Sequence, residues 1–234
     1  MFADFLAYIS VDSNWTGPSG ILVRVIEHLV FSAIAIAIAS CIAIPAGLII
    51  GHTGRGQAPI VGLANGLRAI PSLGLMTLLI LFISSDVIPP LIALVILAIP
   101  PLLAGAYSGV AILPRSTVDA ARSMGMSETR ILFQVEVPNA LPLMLAGLRG
   151  ATLQVVATAT IAAYVNLGGL GRYIFDGLAL YDYGLVLVGA ILVSMLGIGL
   201  DALLASLGRF VRPGRAPVLR RDGALRAEIA RRVA

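Results

Sequence analysis

The sequence predicts an all-α integral membrane protein of five transmembrane helices, with its N-terminus outside and its C-terminus in the cytoplasm. Three observations predict it. The 234 residues have a mean hydropathy of +0.99 and are 59% hydrophobic but only 12% charged, where a soluble domain carries about 25% charged residues. So few charges cannot cover a soluble globule of this size, which excludes a cytoplasmic enzyme, a disordered chain and a disulfide scaffold. Five apolar stretches approach the roughly 20 residues a helix needs to cross about 30 Å of hydrocarbon. The arginines, finally, collect in alternate connections between those stretches.

Residues 1–23 are predicted as an N-terminal interfacial segment. Asp4 and Asp12 stand where a secretory signal peptide would be basic, so the segment does not read as one. Phe2, Phe5, Leu6, Tyr8 and Ile9 make a short apolar helix face, and Trp15 suits the headgroup region. The transmembrane domain is placed at 24–207. Its first span, about 29–50, has no charge between His28 and His52. The Ile34-Ala35-Ile36-Ala37-Ile38 alternation imitates a strand, but a lone strand leaves its backbone unsatisfied in lipid.

The second span, about 66–85, opens near Pro71, where a missing N–H costs least. The third, about 87–110, contains Pro100-Pro101 and is expected to kink or break there. The fourth is about 143–165, with Arg149 near its start, where a long side chain can snorkel to the interface. The fifth is about 183–207, and Asp201 within it is expected to cap or to bond across helices.

Charge placement orients the bundle. Arg55 and Arg68 follow span one, Arg115, Arg122 and Arg130 follow span three, and eight arginines follow span five in the basic tail 208–234. The other face holds Arg24 and Arg172 among six acids. Positive residues mark the cytoplasm, and only an odd number of spans keeps these loops on one side. Cys41 is a single cysteine and the two histidines lie far apart, so no disulfide and no metal site is expected within the chain.

The connection at 114–138, PRSTVDAARSMGMSETRILFQVEVP, differs from the others. Ser116 followed three residues later by Asp119 fits a capping box. Gly125 fits a left-handed helix end, and Ser127 a second cap for a helix from Glu128 to about Val135. Two short amphipathic helices around a glycine make a docking element. Ala120 and Ala121 form a small-residue ridge able to enter a groove on another protein.

These residues resemble a known pattern. Asp119-Ala120-Ala121, three residues, Gly125, nine residues, then Val135-Glu136-Val137-Pro138 resembles the EAA loop of bacterial ABC importer permeases: Glu-Ala-Ala, three residues, Gly, nine residues, Ile-x-Leu-Pro. The departures are Asp for Glu at 119 and Val at 135 and 137. Leu67-Arg68-Ala69-Ile70-Pro71-Ser72-Leu73 is similar to the RTIPSLAL stretch of the osmoprotectant branch, which serves glycine betaine, carnitine, choline and proline. Gly147-Leu148-Arg149, Ala157 to Ala163 and the glycine-rich run Gly168 to Gly177 are similar to that branch as well.

The resemblance implies the five-helix permease core of an ATP-driven importer in the bacterial cytoplasmic membrane, a multi-pass transport subunit and not an enzyme. It implies three kinds of partner: an ATP-binding subunit dimer, a second permease subunit, identical or paralogous, and an extracytoplasmic solute-binding protein. The chain has no P-loop and no lysine, so ATP and Mg belong on the partner; nucleic acid is not an expected partner. Asp119, Ala120, Ala121, Gly125 and Pro138 are the expected ATPase-coupling residues. Pro71, Ser72, Gln154, Thr158, Tyr164 and Asn166 are candidates for the translocation pathway.

Gly147, Ala151, Gln154, Thr158 and Ala162 form a small-or-polar stripe that fits either a pore wall or close helix packing. Aromatic residues make up 6% of the chain, too few for an obvious cage around a quaternary ammonium group. The pore itself is therefore expected to select weakly. Alternatives are the same importer class carrying an amino acid such as methionine, and, from another class, a passive channel, which would not require a docking loop.

Overall fold

A computed structural model describes residues 2–56, 58, 62, 64, 66, 67 and 69–210. The predicted tail beyond residue 210 and the position of Arg68 lie outside the described residues. The elements are α1 (Phe2–Ile9), α2 (Ile21–Thr53), α3 (Ser72–Phe82), α4 (Ile88–Ala111), α5 (Arg115–Ser123), α6 (Glu128–Ile131), α7 (Val137–Ala162), α8 (Gly171–Ala179) and α9 (Tyr183–Phe210). A π-helical turn, Leu132–Glu136, joins α6 to α7.

Four of the described helices are long and apolar enough to cross a membrane: Ile21–Thr53, Ile88–Ala111, Glu128–Val165 and Tyr183–Arg209. The stretch expected at 66–85 is different. Its described helix, α3, has 11 residues, about 16 Å, which is shorter than the hydrocarbon layer. Pro71 caps α3 in an extended conformation. A proline removes a backbone donor and biases the residue before it away from helix, so Ile70 and Pro71 separate α3 from the helical residues 66, 67 and 69.

The first span also starts earlier than expected, at Ile21. Arg24, Glu27 and His28, which precede the expected span, lie inside the helix. Arg24 Nη1 donates to Glu27 Oε2 at 2.9 Å one turn on, so the two charges neutralise each other locally. The helix α4 runs unbroken through Pro100-Pro101, which corrects the expected break. It packs along its length against α2 on one side and α7 on the other, and that support holds the ladder together where the prolines remove donors.

Close approach explains the small residues of this sandwich. A Cβ at Gly47 or Gly51 of α2 would lie 2.8 Å from Ala106 Cβ or 2.7 Å from Val110 Cβ of α4. A Cβ at Gly147 of α7 would lie 2.7 Å from the Pro101 carbonyl oxygen and 2.9 Å from Gly105 Cα. Without a hydrophobic force between helices in lipid, such small-residue seams let backbones approach and gain dispersion contacts. Ala35, Ala39, Ala43, Leu94, Leu102, Ala151 and Val155 are buried at the centre.

The opposite end is closed by α8 and by the N-terminal segment. Tyr8 meets Tyr173 edge to face at 6.0 Å, Trp15 Nε1 donates to the Ile9 carbonyl at 2.7 Å, and Tyr173 Oη donates to the Ser19 carbonyl at 2.8 Å. Burial, with Tyr8 beside it, pushes the Tyr173 phenol above its ordinary range. The glycine-rich loop docks on α2: Gly169 N donates to Glu27 Oε2 at 2.8 Å. Gly168 and Gly169 have φ of +92° and +76°, and a Cβ on Gly168 would lie 2.8 Å from that same oxygen, so glycine suits both the backbone and the space.

Candidate functional site

The docking loop folds around Gly125. Helix α5 ends at Ser123 in a Schellman motif: Gly125 N donates to the Arg122 carbonyl at 2.9 Å and Met126 N to the Ala121 carbonyl at 3.2 Å. This requires a left-handed residue, and Gly125 has φ of +80°. The expected capping box does not form. Helix α5 starts at Arg115 behind Pro114, with no side-chain cap bond, because Ser116 already lies inside the first turn and the Asp119 carboxylate is engaged by Arg122 at 3.3 Å.

Ser127 does occupy the next cap position, though its hydroxyl makes no cap bond. The second helix is not a separate short one. Through the π-turn it continues into α7, so Glu128–Val165 is one continuous helical stretch. Of the two alanines, Ala120 is exposed and Ala121 is buried against the chain's own core, so one and not both faces outward. Asp119, Gly125 and Pro138 are exposed.

A chain of polar side chains ties this loop to α2. Arg122 Nε and Nη2 donate to Glu128 Oε1 and Oε2 at 2.7 and 2.9 Å, a paired-fork geometry. Donating to Glu128, and then to Asp119, holds the guanidinium above its ordinary range. Glu128 Oε2 lies 3.3 Å from His52 Nε2, and His52 Nδ1 lies 2.7 Å from Glu136 Oε2. Glu136, the last residue of the π-turn, is 3% exposed. A cavity of about 510 Å³ opens beside this chain, lined by His52, Tyr107, Arg115, Asp119, Arg122 and Glu136 among others. Among the described residues no group of three or more His, Cys, Asp and Glu side chains is arranged to hold a metal ion.

The expected pathway residues are spread along the bundle. Pro71 and Ser72 open α3. Gln154 is half-buried in α7, and Thr158 is buried, its Oγ1 donating to the Gln154 carbonyl at 2.8 Å. Tyr164 is 61% exposed and meets Phe175 at a tilt, with ring centroids 5.2 Å apart. Asn166 has φ of 71° and ends the turn after α7. Within the stripe, Ala151, Thr158 and Ala162 are buried and Gly147 lies against Gly105.

Arg149 does not snorkel alone; its guanidinium donates through Nε and Nη2 to both carboxylate oxygens of Asp201 on α9. This realises the inter-helix alternative for Asp201. The links from His52 to Glu128 and Glu136 were not read from sequence. One signal was present: Glu136 is a lone acid in the apolar run 131–138, and buried acids require partners.

The matrix of similarity to known proteins is broad. Residues 43–213 match the family described as binding-protein-dependent transport system inner membrane component. The chain is 33% identical over 187 residues, 80% of its length and 86% of the relative, to the carnitine transport permease protein OpuCB of Listeria monocytogenes. It is 30% identical to the choline transport system permease protein OpuBB of Bacillus subtilis, covering 85% of this chain and 91% of that one. It is 31% identical to the osmoprotectant import permease protein OsmY of Salmonella typhimurium, covering 80% of each. Among solved structures, the inward-facing MetNI methionine ABC transporter shares the fold with a TM-score of 0.75 at 19% identity, covering 82% of this chain and 96% of that one.

Proposed function

The chain belongs to the family of inner membrane components of binding-protein-dependent transport systems, and from that premise we propose that it is the pore subunit of an ATP-driven importer for osmoprotectants. The observation that carries the cargo is identity near 30% across most of the chain to permeases named for carnitine, choline and osmoprotectants. Glycine betaine, choline and carnitine share a quaternary ammonium group; proline, the remaining osmoprotectant, is a cyclic secondary amine without one.

In this reading five spans cross the membrane, α3 with the residues before Pro71 making the second, and the N-terminus lies outside. The division into segment 1–23, membrane domain 24–207 and tail 208–234 follows the same topology. The loop 114–138 then faces the cytoplasm, where Asp119, Ala120, Ala121, Gly125 and Pro138 engage an ATP-binding subunit that supplies ATP and Mg. A second permease subunit completes the pore, and a solute-binding protein delivers cargo to the outer face.

Transport is a shift between two conformations, and ATP shifts them only through contacts that differ between the states. The α5–Gly125–α6 turn offers that contact. It is exposed on one side and fastened to the bundle on the other. Pro71, Ser72, Gln154, Thr158, Tyr164 and Asn166 are proposed to border the path. With few aromatic residues to cage a quaternary ammonium group, tight selection falls to the solute-binding protein.

The test is reconstitution. The chain is co-expressed with its genomic neighbours, purified in detergent and placed in proteoliposomes. Recovery of an ATP-binding subunit and ATP-dependent accumulation of labelled glycine betaine, carnitine or choline are expected. Uptake of methionine with none of these three refutes the cargo, and equal uptake without ATP refutes the importer.

A further inference from the structure

His52 stands where three segments meet: the last turn of α2, the start of α6 and the π-turn that leads into α7. Its two ring nitrogens face two carboxylates, Glu136 Oε2 at 2.7 Å and Glu128 Oε2 at 3.3 Å. A neutral imidazole donates from one nitrogen only, whereas the imidazolium donates from both. The His52 side chain is 14% exposed and that of Glu136 4%, so this contact is largely removed from water, while Glu128 on the far side reaches the surface and is forked by Arg122 of α5.

We propose that His52 is a positioning residue that fastens the docking loop to α2, so that a displacement of α5 reaches the pore bundle through Arg122, Glu128 and His52. The geometry favours such a link over α7 alone. Between the loop and α7 lies the π-turn Leu132–Glu136, an interruption in the regular ladder of the kind that marks joints in helices. A push on α5 that travelled only along the chain would meet this joint first. His52 bridges across it, holding Glu128 before the turn and Glu136 at its end. Helix α2 in turn packs on α4 through Gly47 and Gly51, so its last turn leads directly into the core sandwich.

The proposal rests on the importer reading, and its test is built on the assembled complex: this chain, its ATP-binding partner, the second permease subunit and the solute-binding protein, in proteoliposomes. Labelled glycine betaine, carnitine and choline are the probes, ATP hydrolysis is followed in parallel, and the readout is solute moved per ATP hydrolysed. His52→Ala is expected to lower that ratio about fivefold or more, the lower end of what coupling between two sites carries, while the ATP-binding subunit still co-purifies.

That substitution also strands a buried carboxylate, which could reduce stability by itself. The double variant His52→Ala/Glu136→Gln removes the stranded charge. It is expected to regain thermal stability and still move little solute per ATP. Glu128→Ala, at an exposed position, is expected to fold normally and lower the ratio in the same direction. Recovery of both stability and the ratio in the double variant overturns the proposal, because His52 would then only neutralise Glu136. So does a wild-type ratio in Glu128→Ala. A wild-type chain that captures no ATP-binding subunit sinks the importer reading instead.

Discussion

Gly147 and Gly150 lie three residues apart on α7, and the structure assigns opposite signs to the same substitution at the two positions. At Gly147 an added Cβ would meet the Pro101 carbonyl oxygen at 2.7 Å and Gly105 Cα at 2.9 Å. Both atoms are backbone, so no side chain can rotate away and α4 and α7 must part. Overpacking of this kind costs about 1–3 kcal/mol, and the better helix propensity of alanine returns at most about 1 kcal/mol of it. At Gly150 the nearest atom is Pro101 Cβ at 3.9 Å, an ordinary contact. There the propensity gain of about 1 kcal/mol stands alone. Thermal unfolding in detergent, followed by helical circular dichroism, reads both. With about 2–4 °C per kcal/mol for a chain of this size, Gly147→Ala is expected to lower the midpoint by several degrees and Gly150→Ala to raise it slightly. Gly105→Ala presses on the same contact from the other helix, so Gly105→Ala/Gly147→Ala should cost other than the sum of the two. Equal shifts at Gly147 and Gly150, or none at Gly147, would refute the close α4–α7 seam.

Three other outcomes follow from local geometry. Gly125→Val places a β-branched residue at φ of +80°, a strain of about 1–3 kcal/mol with no steric contact to relieve, so ATP-driven uptake should fail while membrane insertion persists; Gly125→Asn, which tolerates the left-handed region, should retain more, and equal uptake in the two variants contradicts the Schellman assignment. Replacing Arg149 or Asp201 alone leaves one charge of the α7–α9 pair without its partner, so either single leucine variant should accumulate less in the membrane than the double leucine variant, as quantitative blotting would report. The Tyr173 phenol is held above its ordinary range, so its contribution to stability is complete below about pH 10 and is lost as pH climbs through the higher folded value. Alkaline titration of tyrosinate absorbance should show a late component that Tyr173→Phe removes, and a titration curve unchanged by Tyr173→Phe would deny the burial.

Much of the fold was legible because hydropathy and helix length are local properties. Helices α4 and α9 begin and end within about three residues of the apolar stretches 87–110 and 183–207, since each stretch is bounded by a proline, an acid or an arginine. Span one was read short because Arg24, Glu27 and His28 count as polar in any sliding window. In the structure Arg24 pairs with Glu27, Glu27 accepts from the Gly169 amide, and His28 Nε2 lies 3.0 Å from the Val156 carbonyl. The helix that carries span four starts earlier than the expected span, at Glu128, and runs through Glu136, which packing buries. The second span is less legible: Pro71 divides it, and the described helix that follows has 11 residues.

The site divides along the same line. The left-handed turn at Gly125 and the helix start after Ser127 depend on neighbours a few residues away, and both could be read in advance. The capping box also looked local, but Pro114 shifted the helix start so that Ser116 fell inside it. His52 and Glu136 are 84 residues apart, and Arg149 and Asp201 are 52 apart; no periodicity connects such positions. What the sequence does contain is a constraint: an acid or an arginine inside an apolar run is tolerable only with a partner of opposite charge. The partner is then selected by which helix ends the small-residue seams bring together. Gly47 and Gly51 hold α2 to α4, Gly109 and Ala140 hold α4 to α7, and the end of α2 is thereby carried to the base of α7, where His52 reaches Glu136. Weakening a seam should therefore loosen a polar contact about a turn away, and the glycines of the sandwich and the polar contacts at its end form one mechanical unit.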